Sequence, residues 1–416
     1  MFGVPAQAVP SFAAQTGQSC VACHAGGQFP ELTPYGRMFK LTGYTMGQRA
    51  NPLSAMVVAS NTTTKESTGS VRDGQTILDS ASVFLAGKVT DNIGGFGQFT
   101  HSFPAAAAGM DNMDLRYADR EVNANTDLVW GVSLHNNPTV QDVWNSAPAW
   151  SSPYMKTTQG AYGDLPRVTV IENGLSQQVA GIGGYAYLNK SFYAELASYQ
   201  APRGALSFMA YPANVGDTTN PFNNYLDGSN LYWRLAYTRE WDAHNVMVGA
   251  FGFDAKVVGL DGNAVPDATV SYTRYRDVGF DAQYQYLLSP HTFTAQLRAV
   301  RETIDDTLRT TYFDGPATLN TLSAKASYVY REQYGGSLTY KKVNGSADSN
   351  AYGAPSLVPD SELWIPELFW IPRQNVRIGV QFNSFTKYLG ASSNYDGLGR
   401  NASDNNSTYV YLWAAF

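Results

Sequence analysis

From about residue 53 to the C-terminus the chain repeats one pattern: roughly ten residues of alternating apolar and polar character, a break, then ten more. Alternation with a period of two puts successive side chains on opposite faces of a strand. The pattern predicts sixteen strands, near 53–62, 81–90, 93–103, 112–122, 126–136, 177–189, 190–200, 230–241, 244–254, 270–288, 290–303, 319–332, 333–344, 362–372, 374–389 and 406–416. Their connections alternate in length. Short turns fall at Asp91-Asn92, near Ala124, and at Asn189-Lys190, Asp242-Ala243, Ser289, Arg331-Glu332 and Arg373. Between them lie longer loops: 63–80, 137–176, 201–229, 255–269, 304–318, 345–361 and 390–405. Tight turns on one side and long loops on the other are the asymmetry of outer-membrane barrels, and an even strand number returns both chain ends to the periplasm. The predicted fold is an all-β transmembrane barrel of about 16 antiparallel strands. A soluble sandwich would alternate too, but its loops would not sort by length.

The last strand sharpens this reading. Thr408, Val410, Leu412, Ala414 and Phe416 share one face while Tyr409, Tyr411 and Trp413 share the other, so the chain ends on an apolar face with a terminal Phe, similar to the insertion signal of bacterial outer-membrane barrels. Composition agrees. Aromatic residues make up 13% of the chain, with 27 Tyr and 8 Trp, against only 15% charged residues. Aromatic girdles and alternating faces account for that mixture. No run approaches 18 consecutive apolar residues, which excludes a membrane helix. The net charge of −6 carries no basic patch and excludes a nucleic-acid partner. Met1 to Pro10 contain neither a charged n-region nor an apolar core, and Ala6-Gln7-Ala8 has the small-x-small form of a cleavage site, so the chain is read as exported and nearly mature.

The chemistry is concentrated near the N-terminus. Cys20-Val21-Ala22-Cys23-His24 is a C-x-x-C-H motif, the attachment site of a c-type haem, and it uses both cysteines of the chain. Each thiol adds to a haem vinyl group, and His24 is placed to take an axial position on the iron. Residues 1–52 form the predicted monohaem cytochrome c segment and residues 53–416 the barrel. Fifty residues are too few to bury a haem and a core unaided, so the segment is expected to dock in the barrel lumen. For the sixth ligand the expectation is Met56, which shares the polar lumen-facing parity of Ser54, Ser60 and Thr62, with Met46 and His135 as alternatives. His101 shares its parity with Phe99 and Phe103 and points to lipid; His244 and His291 sit at short turns. Arg37 and Lys40 are candidate partners for the haem propionates. Tyr35, Phe39 and Tyr44 are candidates for the apolar wall of the haem crevice. The loop 137–176, with Trp144, Pro148, Trp150 and Pro153, is long enough to fold into the barrel mouth. Asp142, Asp305, Asp306 and Asp360 offer hard oxygen ligands, but no spacing among them defines an iron site.

These residues carry a resemblance. Pro10-Ser11-Phe12-Ala13, the haem motif, Phe29-Pro30, Tyr35-Gly36-Arg37-Met38-Phe39-Lys40 and Gly43-Tyr44 precede the barrel, which continues with Asp91-Asn92, Thr126-Asp127-Leu128-Val129-Trp130 and Asn137-Pro138-Thr139-Val140-Gln141-Asp142-Val143-Trp144-Asn145. The arrangement resembles the fused outer-membrane cytochrome–porins of iron-oxidising bacteria. The resemblance implies that electrons are accepted from Fe(II) at the cell surface and passed through one haem to a periplasmic cytochrome or other carrier. A single cofactor also suits a one-electron donor. The rival expectations are a substrate-specific porin with a structural or sensory haem, and a conduit running outward to reduce metals. The sequence supplies no distal acid–base pair for a haem peroxidase.

Overall fold

The computed structural model describes residues 10–27, 30–64, 73–103, 107–146, 168–210, 225–259, 261, 266–307, 316–348, 351–352 and 355–416. Among them, sixteen long strands form one closed antiparallel wall. They are β1 Leu53–Thr64, β2 Thr76–Lys88, β3 Ile93–Ser102, β4 Ala107–Val122, β5 Asp127–His135, β6 Ala180–Leu188, β7 Phe192–Gln200, β9 Asn230–Trp241, β10 His244–Val258, β11 Tyr272–Leu288, β12 His291–Asp306, β13 Ala317–Tyr330, β14 Tyr334–Gly345, β15 Ser361–Arg373, β16 Val376–Lys387 and β17 Ser407–Ala415. The two-residue strand β8, Tyr225–Leu226, pairs with the end of β10. Each long strand pairs with its neighbours in sequence, and β1 pairs with β17, Met56 opposite Ala415 and Thr64 opposite Ser407, so no edge is left open.

The strand faces are inverted relative to a water-soluble protein. Along β9 the buried positions are Asn230, Tyr232, Arg234, Ala236 and Thr238, while the outward positions are Leu231, Trp233, Leu235 and Tyr237. Arg234 is 0% exposed and Leu235 57% exposed. Only a lipid exterior rewards that arrangement, and outward Phe192, Tyr237, Trp241, Tyr334 and Trp370 ring the turn end as a girdle. The three-residue turns 189–191 and 331–333 each begin with two residues of positive φ, Asn189 and Lys190 in one and Arg331 and Glu332 in the other, the geometry that matches the twist of flanking strands. An even-stranded closed barrel with an apolar belt, tight turns and long loops is the architecture of a bacterial outer-membrane protein. Among the described residues no helix is long and apolar enough to cross a membrane; the crossing is made by strands.

All sixteen expected strands are present. Two begin earlier than their alternation suggests: β2 at Thr76 and β4 at Ala107. The register of each shifts there, at Asp79 against Val58 and Ala59, and at Asp111 against Gln98 and Phe99. A bulge inserts one extra residue and resets the face that follows, which ends a period-two pattern in the sequence.

In β17, Tyr409, Tyr411 and Trp413 are buried in the lumen, whereas Val410, Leu412 and Phe416 face outward. Phe416 contributes the last two bonds of the closing seam, Ala55 N to Phe416 O at 2.7 Å and Phe416 N to Ala55 O at 2.9 Å. Deleting Phe416 removes both, roughly 1–3 kcal/mol of seam stability. The expected outcome is impaired assembly, read as loss of the heat-modifiable band on a gel; normal assembly would exclude a role for the terminal residue.

Residues 10–27 and 30–52 lie within the wall. Helix α1, Pro10–Thr16, the single turn α2, Cys20–Cys23, and helix α3, Pro34–Leu41, are followed by an extended stretch into β1. From the opposite end Asn136–Ser146 folds inward, with Val140, Val143 and Trp144 at most 1% exposed. Trp144 therefore lies deep in the lumen; Pro148, Trp150 and Pro153, like the Ala6-Gln7-Ala8 stretch and Phe29, lie outside the described residues.

Candidate functional site

The C-x-x-C-H motif is shaped by local bonds. Ser19 is extended, and the chain then makes one helical turn in which His24 N donates to Cys20 O at 2.8 Å. Cys20 and Cys23, three residues apart on a helical turn, therefore face the same side. The chain doubles back through Ala25–Gly27, with Ala25 N to Glu31 O and Thr33 N to Cys23 O both at 2.9 Å. Gly26 has φ +68, and a side chain there would also meet Val329 of β13 at 2.7 Å, so glycine is required twice over. Thr33 caps α3 by accepting from Gly36 N, with Pro34 in the first turn.

Gly36 lies directly on the motif. A β-carbon at this position would overlap the Cys23 carbonyl oxygen and lie 2.9 Å from Cys23 Cα. Backbone cannot yield as a flexible side chain would. Gly36→Ala is expected to force α3 from the motif at a cost of roughly 1–3 kcal/mol. In the haem-free chain this reads as faster labelling of Cys23 by a thiol reagent, and an unchanged rate would contradict the packing described.

Cys20, Cys23 and His24 line one cavity of about 970 Å³, counted with the part open to solvent. Its walls come from three places: Phe12, Phe39 and Tyr44 of the N-terminal segment, Phe84 and Phe96 of the barrel, and Asp142 and Asn145 of the inward loop. Phe12 stacks on Tyr44 at 5.3 Å and meets Phe39 edge-on at 5.0 Å. Burial pushes the His24 imidazole down to about 4, against the upward pull of the Glu31 carboxylate. The ring is therefore neutral near pH 7, the form that ligates a metal. Burial, reinforced by Cys20, pushes the Cys23 thiol up to about 11.

The other expected site residues are distributed differently. Lys40 lines the cavity, but its Nζ donates to Val140 O at 2.5 Å and Asp142 O at 3.1 Å, and stands 3.9 Å from Asp114. Arg37 is not among the lining residues; its guanidinium donates to Leu32 O, Gln285 Oε1 and Asn245 Oδ1 at 2.7–3.0 Å, fastening α3 to β10 and β11. This fork is engaged with the wall rather than with a propionate position. Tyr35 is exposed and also outside the lining. Met56 does point into the lumen, yet it packs with Cys20, Val58, Tyr411 and Trp413, and its sulfur accepts from Trp413 Nε1. Met46 offers its carbonyl to Gln15 Nε2 at 2.8 Å. His135 is fully buried and paired through Nε2 with Tyr199 at 2.6 Å and through Nδ1 with Ser133 at 3.3 Å. None of the three lines the cavity. His244 and His291 bond Tyr284 and Tyr328 beside the turns, and His101 packs against Phe103.

Phe84 and Phe96 are lining residues that sequence reading misses, and Asp142 and Asn145 are ones it singles out without assigning them to this cavity. For the two phenylalanines a signal exists: each is an aromatic residue on the lumen-facing parity of a strand whose inward neighbours are small or polar, Ser82 and Ala86 beside Phe84, Gly94 and Gln98 beside Phe96. Above the cavity the lumen is filled. Asp114 and Arg116 pair at 2.9 Å, and Arg234 stands 2.7 Å from Asp281 and 3.5 Å from Asp142, all of them buried. Among the described residues no cluster of three or more His, Cys, Asp or Glu side chains is placed to hold a metal ion.

No family profile matches the chain, and no curated protein matches it in sequence. Among solved structures it is similar to an anion-selective porin from Comamonas acidovorans, with 12% identity, a TM-score of 0.49, and 88% of this chain and 98% of that one covered. It is also similar to the outer membrane channel DcaP of Acinetobacter baumannii, with 9% identity, a TM-score of 0.47 and coverage of 88% and 96%. A third is OmpT of Vibrio cholerae lacking loop L8, with 11% identity, a TM-score of 0.46 and coverage of 88% and 98%.

Proposed function

We propose that this barrel is an oxidoreductase of the outer membrane, an electron conduit that takes single electrons from Fe(II) at the cell surface and delivers them to a periplasmic carrier through one covalently held haem c. The observation that carries the reading is the meeting of Cys20, Cys23 and His24 on one largely aromatic cavity beneath a filled lumen. Cys20 and Cys23 would hold the group by thioethers, and the neutral His24 nitrogen would ligate its iron. When bound, such a haem supplies a one-electron couple.

The chain's own residues do the rest. Phe12, Phe39, Phe84 and Phe96 present apolar surface to the cavity, and an apolar surround is one lever on the potential of a redox centre. Arg37, Lys40 and Tyr44 fix the segment to the wall and to the inward loop. The inward loop and the Asp142–Arg234–Asp281 group close the path that solutes would take through an open pore. A hydrocarbon core is about 30 Å thick, so such a wall keeps donor and acceptor on opposite sides.

The test uses sealed vesicles holding the oriented protein, with Fe(II) supplied only at the loop side. The expected result is reduction of the haem with ion conductance at background. Porin-like conductance without reduction would overturn the conduit in favour of a porin whose haem is structural. Reduction from the turn side followed by discharge to external Fe(III), and not the reverse, would mark an outward conduit.

A further inference from the structure

We infer that the outward face of β9–β12 holds one phosphorylated glycolipid of the outer leaflet, with its phosphates on basic side chains at the loop end and an acyl chain in the apolar groove beneath them. Neither part of this site is lined by the N-terminal segment, so it stands apart from whatever the C-x-x-C-H motif carries.

Outward charge gathers on three consecutive strands. Lys256 of β10, Arg274 and Arg276 of β11 and Arg301 of β12 all lie on the lipid-facing parity at the loop end, the outer side of such a barrel. The register sets Lys256, Arg274 and Asp305 in one row, Asp254 and Arg276 in the next, and Arg301 in a third, beside the outward Val278. Further round the loop end Lys342 and Lys387 each face one carboxylate, Glu362 at 2.9 Å and Asp360 at 3.2 Å. The larger patch is not balanced in that way. Arg274 closes on Asp254 at 2.7 Å and Lys256 on Asp227 at 2.6 Å, but Arg276 reaches Asp305 only at 3.9 Å and Arg301 is exposed with no ion pair among the described residues. Exposed pairs of this kind add little to stability, so the fold alone gives no reason to collect four cations here. Guanidinium forks at headgroup height match phosphate, and the interleaved carboxylates suit phosphates that carry divalent counter-ions.

Two recesses on this face fit the two ends of a lipid. The upper one, about 580 Å³ counted with its open side, is lined by Asp227, Asn230, Asp254, Lys256 and Arg274. The lower one, about 1240 Å³ counted likewise, is apolar and lined by the small Ala186, Ala194 and Ala250 with the larger Leu235, Val248 and Phe280. Ala250 lies four residues below Asp254 on β10, about 13 Å along the strand. Between them the outward position is Gly252, where a β-carbon would meet Trp233 Nε1 at 2.5 Å, so the indole covers it. Tryptophan belongs at that level, where headgroups give way to hydrocarbon. The shape of the groove selects a chain over a second copy of the protein. Another barrel, convex like this one, would rest on Leu235 and Phe280, 57% and 64% exposed, and leave Ala194 and Ala250 uncovered, whereas a slender acyl chain fills the space between.

The experiment adds bis-phosphorylated lipid A to the purified full-length barrel in detergent and counts bound copies by native mass spectrometry. One retained copy is expected, with dephosphorylated lipid A and phosphatidylglycerol each retained at least about tenfold less. Arg274→Gln with Arg276→Gln and Arg301→Gln should cut retention at least about tenfold in a barrel that is still heat-modifiable on a gel. Ala194→Leu with Ala250→Leu fills the groove and should cut retention while the basic patch is intact, which keeps the site testable if the triple variant fails to assemble. Equal retention with and without the phosphates, or unchanged retention in both variants, overturns the site. A dimer or trimer that forms without the glycolipid and is lost in Ala194→Leu with Ala250→Leu overturns it too, in favour of a second copy in the groove.

Discussion

Replacing Cys20 and Cys23 together with alanine is expected to give a folded, heat-modifiable barrel with no haem left on the chain after denaturation. On the proposed reading each thiol would make one thioether, so the single variants should keep a weakened stain and the double variant none. The wall does not depend on either residue, because every rung of the ladder from β1 to β17 is made by other residues. Only the small sulfur of Cys20 is missed, from the cluster around Tyr409, Tyr411 and Trp413, at a cost of roughly 1 kcal/mol. Haem staining of the boiled protein decides the matter: a stain in the double variant as strong as in the parent would remove the attachment assignment. His24→Ala should act differently on the proposed reading, leaving the stain while altering the visible spectrum, since the thioethers would survive and one nitrogen ligand would be lost.

The second large effect is expected at Arg234. Its guanidinium lies between the Asp142 and Asp281 carboxylates and over the rings of Trp144 and Phe251, at 5.3 and 5.5 Å. Arg234→Met leaves two carboxylates buried without their cation, which costs about 3–5 kcal/mol. Asp142 also accepts from Trp144 N at 3.1 Å and Ser146 N at 3.2 Å, so the loss falls on the inward loop and on the cavity wall it forms. Denaturant unfolding should shift by that amount, and ion conductance through the barrel should rise. Adding Asp142→Asn and Asp281→Asn should recover most of the stability, because removing a whole buried charge group is far cheaper than removing one member. A variant as stable and as tight as the parent would show that the ion group does not hold the loop.

How far the sequence reaches is set by the range of each interaction. The strands are legible because alternation is local and each turn or loop announces its length; the two strands that begin earlier than expected do so where Asp79 and Asp111 interrupt the period. The C-x-x-C-H motif is legible for the same reason, its spacing being covalent. The cavity is not, since Phe12, Phe84, Phe96 and Asn145 reach it from four separate stretches of chain. Met56 shows the limit well. Parity assigns it to the lumen correctly, but parity carries no information on position around the barrel, and the seam places it against Trp413. Arg37 illustrates a different one: a charged residue on a short helix reads as free for a ligand until the carboxamides of Asn245 and Gln285 are brought to it by strands more than two hundred residues away.

The bonds of the N-terminal segment run outward like spokes, to Lys88 on β2, Asp114 on β4, Tyr185 on β6, Asn245 on β10, Gln285 on β11, Lys325 on β13 and Gln374 beyond β15. A hub braced in so many directions resists ovalisation of the wall under lateral pressure from the bilayer. It also ties the cavity to seven places around the wall, so its position relative to the strands is held from many sides rather than from one edge.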